Sequence, residues 1–436
     1  MNLENLTLSE VAGLIRDRSI SPVEYVQALL TRIERIDAHI KAWVTVDGEG
    51  ALKEAKACES EAVHGNFRGP LHGIPIGVKD IIYTRGMRTT LGSPLFKDFI
   101  PRSDAISVAN LKRQGAIILG KTVTTEFATF DPGPTHNPWN LRHTPGGSSS
   151  GSAAAVAARM APGTLGSQTV GSIGRPAAYC GITGLMPTQA RVSRKGIFPV
   201  GWSLDHVGCF GRSTADLKLL FEGLSLEQAD APPLNRRLKL GVVQEFFYSN
   251  ASPEARLMHE EIVRNVQGAG VEVQEVGLPE IFDIQSAILM TIMRAEMASA
   301  HNEIHRNNSE SYKTKLRGLV ETGMLLDAGS YLNARRLRRI YQTEMSQLFD
   351  HCDLLISLGA KDTAPEGLGY TGDPAFSGPW TLADFPTITL PHSLAENGMP
   401  VAIQLSAAPM QEPLLFHGAR IVEEILGFSH TPPVLV

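Results

Sequence analysis

Two Gly/Ser-dense blocks lie close together in the middle of the chain, Pro145-Gly-Gly-Ser-Ser-Ser-Gly-Ser152 and Thr169-Val-Gly-Ser-Ile-Gly-Arg175. An apolar, alanine-rich run from Ala153 to Ala161 separates them, and Pro176-Ala-Ala-Tyr-Cys-Gly181 follows. Such surroundings rule out a flexible linker. Glycine at this density lets backbone segments approach closely, and the serines bring hydroxyls to the ends of packed elements. Hydroxyls and exposed backbone N–H groups placed in this way suit a serine nucleophile beside an oxyanion site. An enzyme is therefore the leading reading.

The chain has 436 residues and is 43% hydrophobic. It can bury a large core, in one large α/β domain or in two or three smaller ones. Its 40 basic and 45 acidic residues give a net charge of -5, which supplies no global basic field. That predicts no nucleic-acid partner and no membrane partner. Cys58, Cys180, Cys209 and Cys352 are scattered, with no CxxC pair. They point to a reduced compartment and away from a disulfide framework or a structural zinc site. The first ten residues are polar and acidic without an apolar core, and no uncharged run is long enough to span a bilayer. A cytoplasmic protein is expected.

Helices alternate with short buried strands, which predicts an α/β fold. Thr7 or Ser9 caps a first helix. Ser21-Pro22-Val23-Glu24 opens a second, with Val26, Leu29, Leu30, Ile33 and Ile36 at helical spacing. Trp43 to Val46 reads as a strand and Ala51 to Ala62 as a helix. A Gly/Pro-punctuated segment enters the strand Ile74 to Val78, which delivers Lys79 at its end. Ala105 to Gln114 reads as a helix, Ala116 to Leu119 as a buried strand, 130–150 as a polar loop and Ala153 to Met160 as a helix. A turn at Pro162-Gly163 leads to the second block. Ala231 to Arg237 reads as a linker, Leu238 to Val243 as a strand and 250–350 as mainly helical. Leu354 to Leu358, Thr387 to Leu390 and Val401 to Leu405 read as strands. Residues 359–378 form a loop, and Pro413 to Leu426 the last helix.

Gly115 to Thr122 matches the letters of a phosphate-binding loop. Its inner residues are Ala, Ile, Ile and Leu, and it follows a helix instead of opening one, so it is rejected. Lys79 follows Gly73, Pro75 and Gly77, which favour close packing. A buried lysine is neutral near pH 7 and serves as a base if a hydroxyl partners it. Ser148, Ser149, Ser150 and Ser152 offer that hydroxyl, with Ser152 suited to capping the alanine-rich helix. Ser172, between Gly171 and Gly174, is a candidate nucleophile beside the backbone donors of Val170, Gly171 and Ser172. His136, His143 and His206 show no metal-ligand spacing, and there is no GxSxG elbow. Arg335-Arg-Leu-Arg-Arg339 reads as the solvated face of a helix.

Three segments together resemble the amidase signature family. They are Gly73-Ile-Pro-Ile-Gly-Val-Lys-Asp80, Pro145 to Val156, and Gln168 to Ala177 with Cys180-Gly-Ile-Thr-Gly-Leu-Met-Pro187 behind it. Ser203 to Gly208, Asp384 to Pro391 and Gly398 to Leu405 also fit. The resemblance implies a single large α/β/α domain whose mixed, twisted central sheet is covered by helices on both faces. Within 1–436 it implies an N-terminal helical segment (1–65), a signature core (66–230), a variable, mostly helical pocket region (240–345) and a C-terminal return to the sheet (350–436). It further implies a Ser–cis-Ser–Lys triad. Ser172 would be the nucleophile, Ser148 the bridging serine after an unusual cis peptide, and Lys79 the base. Backbone N–H groups of Thr169, Val170, Gly171 and Ser172 would form the oxyanion hole. No metal or cofactor is implied.

Gly174 stands where many members carry arginine, and Arg175 is one residue later. Arg175 would either clamp a substrate carboxylate, as on a malonamate-like amide, or hold the nucleophile loop. Gln168, Asp131, His136 and Trp380 are further candidates for the substrate pocket or its support. Met290, Met293 and Tyr331 are candidates from the variable region. The leading expectation is hydrolysis of the C–N bond of a small amide or ureido compound through an acyl-serine, leaving a homodimer open. The alternatives are the amidase subunit of a tRNA-dependent amidotransferase and a non-catalytic interaction protein on the same fold.

Overall fold

Thr7 and Ser21 start the first two helices by the same device. The Thr7 side chain accepts from the Glu10 N–H and the Glu10 carboxylate accepts from the Thr7 N–H, opening helix Leu8–Arg16. Ser21 and Glu24 repeat this reciprocal pair around Pro22 to open helix Pro22–Ile40. Each such cap stabilises its helix by about 1 kcal/mol. Tyr25, Val26, Leu29, Ile33 and Ile36 then form a buried stripe, as their spacing predicts. The computed structural model describes residues 2–231 and 236–435. Residues 232–235 of the expected linker lie outside the described residues.

Among the described residues, eleven strands form one sheet. In chain order they are β1 (Trp43–Val46), β2 (Pro75–Lys79), β3 (Ile117–Thr122), β4 (Gly163–Gln168), β5 (Thr183–Met186) and β6 (His206–Gly211). Then come β7 (Lys239–Val242), β8 (Glu272–Glu275), β9 (Leu354–Leu358), β10 (Thr387–Leu394) and β11 (Pro400–Ser406). Their order across the sheet is β1-β3-β2-β4-β6-β5-β10-β11-β9-β7-β8. Strands β3, β2 and β4 run parallel, as do β9, β7 and β8. The middle of the sheet, from β4 to β9, is antiparallel. This is the expected α/β/α domain, a mixed twisted sheet flanked by helices. Strands β2, β3, β4 and β5 are buried at every position, as strands covered on both faces must be.

The rejected phosphate-loop match is resolved by topology. Helix Ile106–Arg113 precedes β3, and Gly120, Lys121 and Thr122 lie inside the strand. A Cβ on Gly120 would meet the Thr45 carbonyl oxygen at 2.1 Å, so that glycine serves the close approach of β1. Ser152 is not a helix cap. Helix Ser150–Ala157 starts two residues earlier, and the Ser152 hydroxyl lies inside it, bonded to the Leu165 carbonyl at 2.9 Å and to the Thr122 hydroxyl at 2.7 Å. The basic cluster is not wholly solvated either. Arg338 is buried and donates to the Leu382 carbonyl at 3.1 Å, while Arg335 pairs with Glu296 at 3.4 Å.

Candidate active site

Strands β2 and β4 are parallel neighbours with Val78 opposite Leu165. The next residues are Lys79 and Gly166, and Lys79 reaches Ser167 one residue further along β4. The Lys79 Nζ lies 2.8 Å from the Ser167 Oγ, 3.4 Å from the Ser167 carbonyl oxygen and 2.7 Å from the Ser148 Oγ. Ser148 comes from the loop ahead of helix Ser150–Ala157, and the Gly147–Ser148 peptide is cis. This loop is pinned to the strand layer. The Gly151 N–H donates to the Val123 carbonyl at 2.9 Å, and the Thr125 N–H donates to the Ser148 carbonyl at 3.2 Å. A Cβ on Gly151 would fall 2.2 Å from the Ala42 oxygen and 2.3 Å from the Val123 nitrogen. Only glycine lets the serine block sit this close to β3.

Lys79 is completely buried, and burial pushes its pKa well below the ordinary lysine range. The field of Asp205 opposes that shift and the Arg175 guanidinium adds to it. No carboxylate oxygen lies within 4.0 Å of its Nζ among the described residues. A neutral amine there donates to Ser167 and accepts the Ser148 hydroxyl proton, the requirement for a general base.

Ser172 lies on the turn after β4. Gln168 shapes that turn, because its Oε1 accepts from the N–H groups of Ile173 at 2.8 Å and Gly174 at 3.0 Å. Its Nε2 donates to the Thr381 hydroxyl at 2.9 Å, and that hydroxyl donates to the Val170 carbonyl at 2.9 Å. The helix Gly378–Ala383 therefore backs the nucleophile loop. Across the loop, the Thr169 hydroxyl donates to Asp205 at 2.6 Å. Among the described residues, the N–H groups of Val170, Gly171 and Ser172 take no partner in a turn or cap. They remain available to an anion formed at Ser172.

The cleft beside Ser172 encloses about 20 Å³. Its walls include Phe130, Val170, Val200, Met293, Met297 and Pro374. Of the candidates from the variable region, Met293 is in this wall. Tyr331 instead donates to Glu296 at 2.9 Å, and Met290 is outside the wall.

Arg175 lines the cleft but is buried and tied to the main chain. It donates to the Gly372 carbonyl at 2.9 Å, to the Gly147 carbonyl and to the Thr371 hydroxyl at 3.4 Å. Only its Nε lacks a partner among the described residues. A two-pronged clamp on a carboxylate is therefore not available.

Three other candidates fall outside the cleft. The Asp131 carboxylate accepts from the Leu316 N–H at 2.8 Å and anchors helix Thr314–Met324. The His136 ring meets the Leu141 carbonyl at 2.6 Å within its own loop. Trp380 is fully buried and stacked on Phe247. Conversely, Ser167, Asp205 and Thr381 contribute to the site without having been singled out. Ser167 is reached through the parallel pairing of the lysine strand with the strand before Ser172, which the sequence alone does not show. The strand Gly163–Gln168 was invisible, because its small and polar residues show no alternation.

Cys58, Glu61 and His72 place one ligand atom each within 4.8 Å of one another. Glu61 is already held by Arg68 at 2.7 Å, and the His72 Nδ1 accepts from the Arg68 N–H at 3.2 Å. None of the three belongs to the serine site.

The chain matches the family profile described as Amidase over residues 24–416. A subunit of the glutamyl-tRNA(Gln) amidotransferase of Geobacter metallireducens (strain ATCC 53774 / DSM 7210 / GS-15) is 32% identical over 483 aligned residues, covering 99% of each chain. A solved structure described as "Crystal structure of amidase" superposes with a TM-score of 0.90 at 28% identity, over 96% of this chain and 99% of the other. A second, described as a vestigial protein complex that reveals the origins of an s-triazine catabolic enzyme, gives 0.88 at 29% identity, over 98% and 100%. The chain belongs to the amidase family, and it is an amidase signature hydrolase that uses a serine-based mechanism on an amide. The amidotransferase relatives also overturn the exclusion of a nucleic-acid partner. Net charge speaks only to a global field, and one member of a complex can work on tRNA through its other chains. No described helix is long and apolar enough to cross a membrane.

Proposed function

We propose that this amidase-family chain cleaves a carboxamide through an acyl-Ser172 intermediate, and that it serves as the amidase subunit of a tRNA-dependent amidotransferase. One observation carries the chemistry: a fully buried amine, Lys79, sits 2.7 Å from the hydroxyl of Ser148 in a pocket with no contacting carboxylate among the described residues. Neutral Lys79 takes the Ser148 proton as Ser148 takes the proton of Ser172. The Ser172 oxygen then bonds to the amide carbon. The developing oxyanion is met by N–H groups of the 169–172 loop, already held in place by Gln168 and Thr381. Collapse breaks the C–N bond. Ser148 protonates the leaving nitrogen and recovers its proton from the Lys79 ammonium. Water then cleaves the acyl-enzyme by the same relay.

The amidotransferase setting rests on relatives of that name that match over nearly the whole chain. A cytoplasmic location goes with it. The test is purification of the chain from its own cells with its bound partners, followed by ammonia release from glutamine with and without charged tRNA. Ammonia release that rises with partner subunits and tRNA supports the reading. A monodisperse chain that ignores glutamine refutes the setting, and a fluorophosphonate that fails to label Ser172 refutes the chemistry.

A second reading is a free-standing hydrolase of small amides, including carboxylate-bearing ones. The tight cleft and the unpartnered Arg175 Nε favour it. A panel of small amides with and without a distal carboxylate separates the two.

A further inference from the structure

Behind the relay lies a second, larger cavity of about 360 Å³. Val200 borders both this cavity and the Ser172 cleft, while Thr169 lines the cleft and Asp205 the cavity. The 2.6 Å bond between Thr169 and Asp205 therefore closes the wall between them. Phe198, Val200, Trp202 and Val207 give the rear cavity an apolar body. Two polar groups lining it are unsatisfied. The Nη1 of Arg194 is buried, and no partner is found for it among the described residues. His206 is 2% exposed and donates through its Nε2 to Asp384 at 3.1 Å, yet its Nδ1 is buried without a partner among the described residues.

A buried polar group without a partner is unfavourable, so two in one cavity mark a place for a ligand. The charge balance selects its sign. Asp205 is the carboxylate on the lining, and its oxygens are taken up by the Thr169 hydroxyl and the N–H groups of Val200 and Gly201. Asp384 is engaged by His206 and by the Gln189 N–H at 2.7 Å. Among the described residues, Arg194 has no carboxylate within 4.0 Å, and Lys195 stands exposed beside it at the rim.

We propose that this rear cavity binds a small carboxylate with an apolar body, its anionic end on Arg194 and His206 and its body against Phe198 and Trp202. The unpartnered Nδ1 faces the ligand while Nε2 keeps its bond to Asp384. Ser167, which touches Lys79, lines the same cavity, so an occupant lies one side chain away from the base.

Binding is read on the Ser172→Ala protein by Trp202 fluorescence, with phenylacetate as the probe and 2-phenylethanol as its uncharged counterpart. Trp202→Phe identifies the signal. The expectation is saturable binding of one phenylacetate, about tenfold or more tighter than the alcohol. Arg194→Gln brings the two to parity, Arg194→Lys retains part of the preference, and Ile197→Trp fills the cavity and abolishes binding. Thermal melts of each variant confirm folding. Equal affinity for acid and alcohol overturns the proposal, and so does the absence of saturable binding. Carboxylates are also products of amide hydrolysis, so the titration is repeated on wild-type protein capped at Ser172 with a fluorophosphonate. Binding that survives capping supports the rear cavity. Binding lost on capping but kept in Arg194→Gln places the ligand in the acyl cleft and overturns it.

Discussion

Two lysines, Lys79 and Lys121, lie on adjacent parallel strands, and both are completely buried. Their surroundings make them chemically different. Lys79 meets two hydroxyls and a carbonyl. Lys121 meets the Ile82 carbonyl, two threonine hydroxyls and the Asp80 carboxylate at 4.0 Å. Burial pushes both pKa values down. Asp80 opposes the shift for Lys121, which is lowered to about 8, while Lys79 is pushed well below the ordinary lysine range against only the field of the non-contacting Asp205. Lys121 thus keeps a carboxylate neighbour that favours its charged form, and Lys79 has none in contact among the described residues. Burial alone does not suit a lysine to act as a base; the absence of a contacting counter-ion does.

The sharpest break of this comparison is Lys79→Met against Lys121→Met. Lys79→Met should lower kcat/KM by about 10⁴-fold or more while leaving the protein folded. It should also flatten stability against pH. Lys79 is depressed in the folded state, so the unfolded chain binds more protons between the two pKa values, and wild-type stability falls as pH drops through that window. Methionine binds none. A variant that keeps half its activity would remove Lys79 from the reaction.

Lys121→Met should instead cost about 3 kcal/mol by stranding the buried Asp80. Activity per folded molecule should persist, and Asp80→Asn in the same chain should recover part of the loss. Denaturant melts of the single and double variants measure both effects. Ser167→Ala comes next, with an expected loss in kcat of about tenfold, or about 1.4 kcal/mol, because Lys79 keeps Ser148 but loses its second hydroxyl. The smallest change is expected for Asp205→Asn. Asp205 raises the Lys79 pKa, so its loss should move the acid limb of the pH–rate profile to lower pH. An acid limb that moves upward would show that Asp205 acts only through Thr169.

Lys79, Ser148 and Ser172 were picked out through the resemblance of their glycine-rich segments to one family, and the structure brings Lys79 and Ser148 into contact. The Gly151 contacts show why no other residue serves. The strands Trp43–Val46 and Leu354–Leu358 were legible through their apolar, β-favouring residues. Strand Gly163–Gln168 was not, because tertiary packing alone makes a strand of it. The cleft was hidden for another reason. Phe130, Met293 and Pro374 come from three distant segments, and of these Met293 alone had been a candidate. Asp131, His136 and Trp380 drew notice for their chemistry, yet their hydrogen bonds or packing are spent elsewhere.

Arg175 ties the carbonyls of Gly147 and Gly372 together, which sets an order of completion. A growing chain acquires Lys79, Ser148 and Ser172 early. The peptide ahead of Ser148 and the nucleophile turn gain their last supports, Gly372 and Thr381, only when the distal part has been made and has docked. A fragment ending before them holds Lys79, Ser148 and Ser172 without the clasp on their loops. The two serine-bearing loops thus depend on contacts made by a distant segment of the chain.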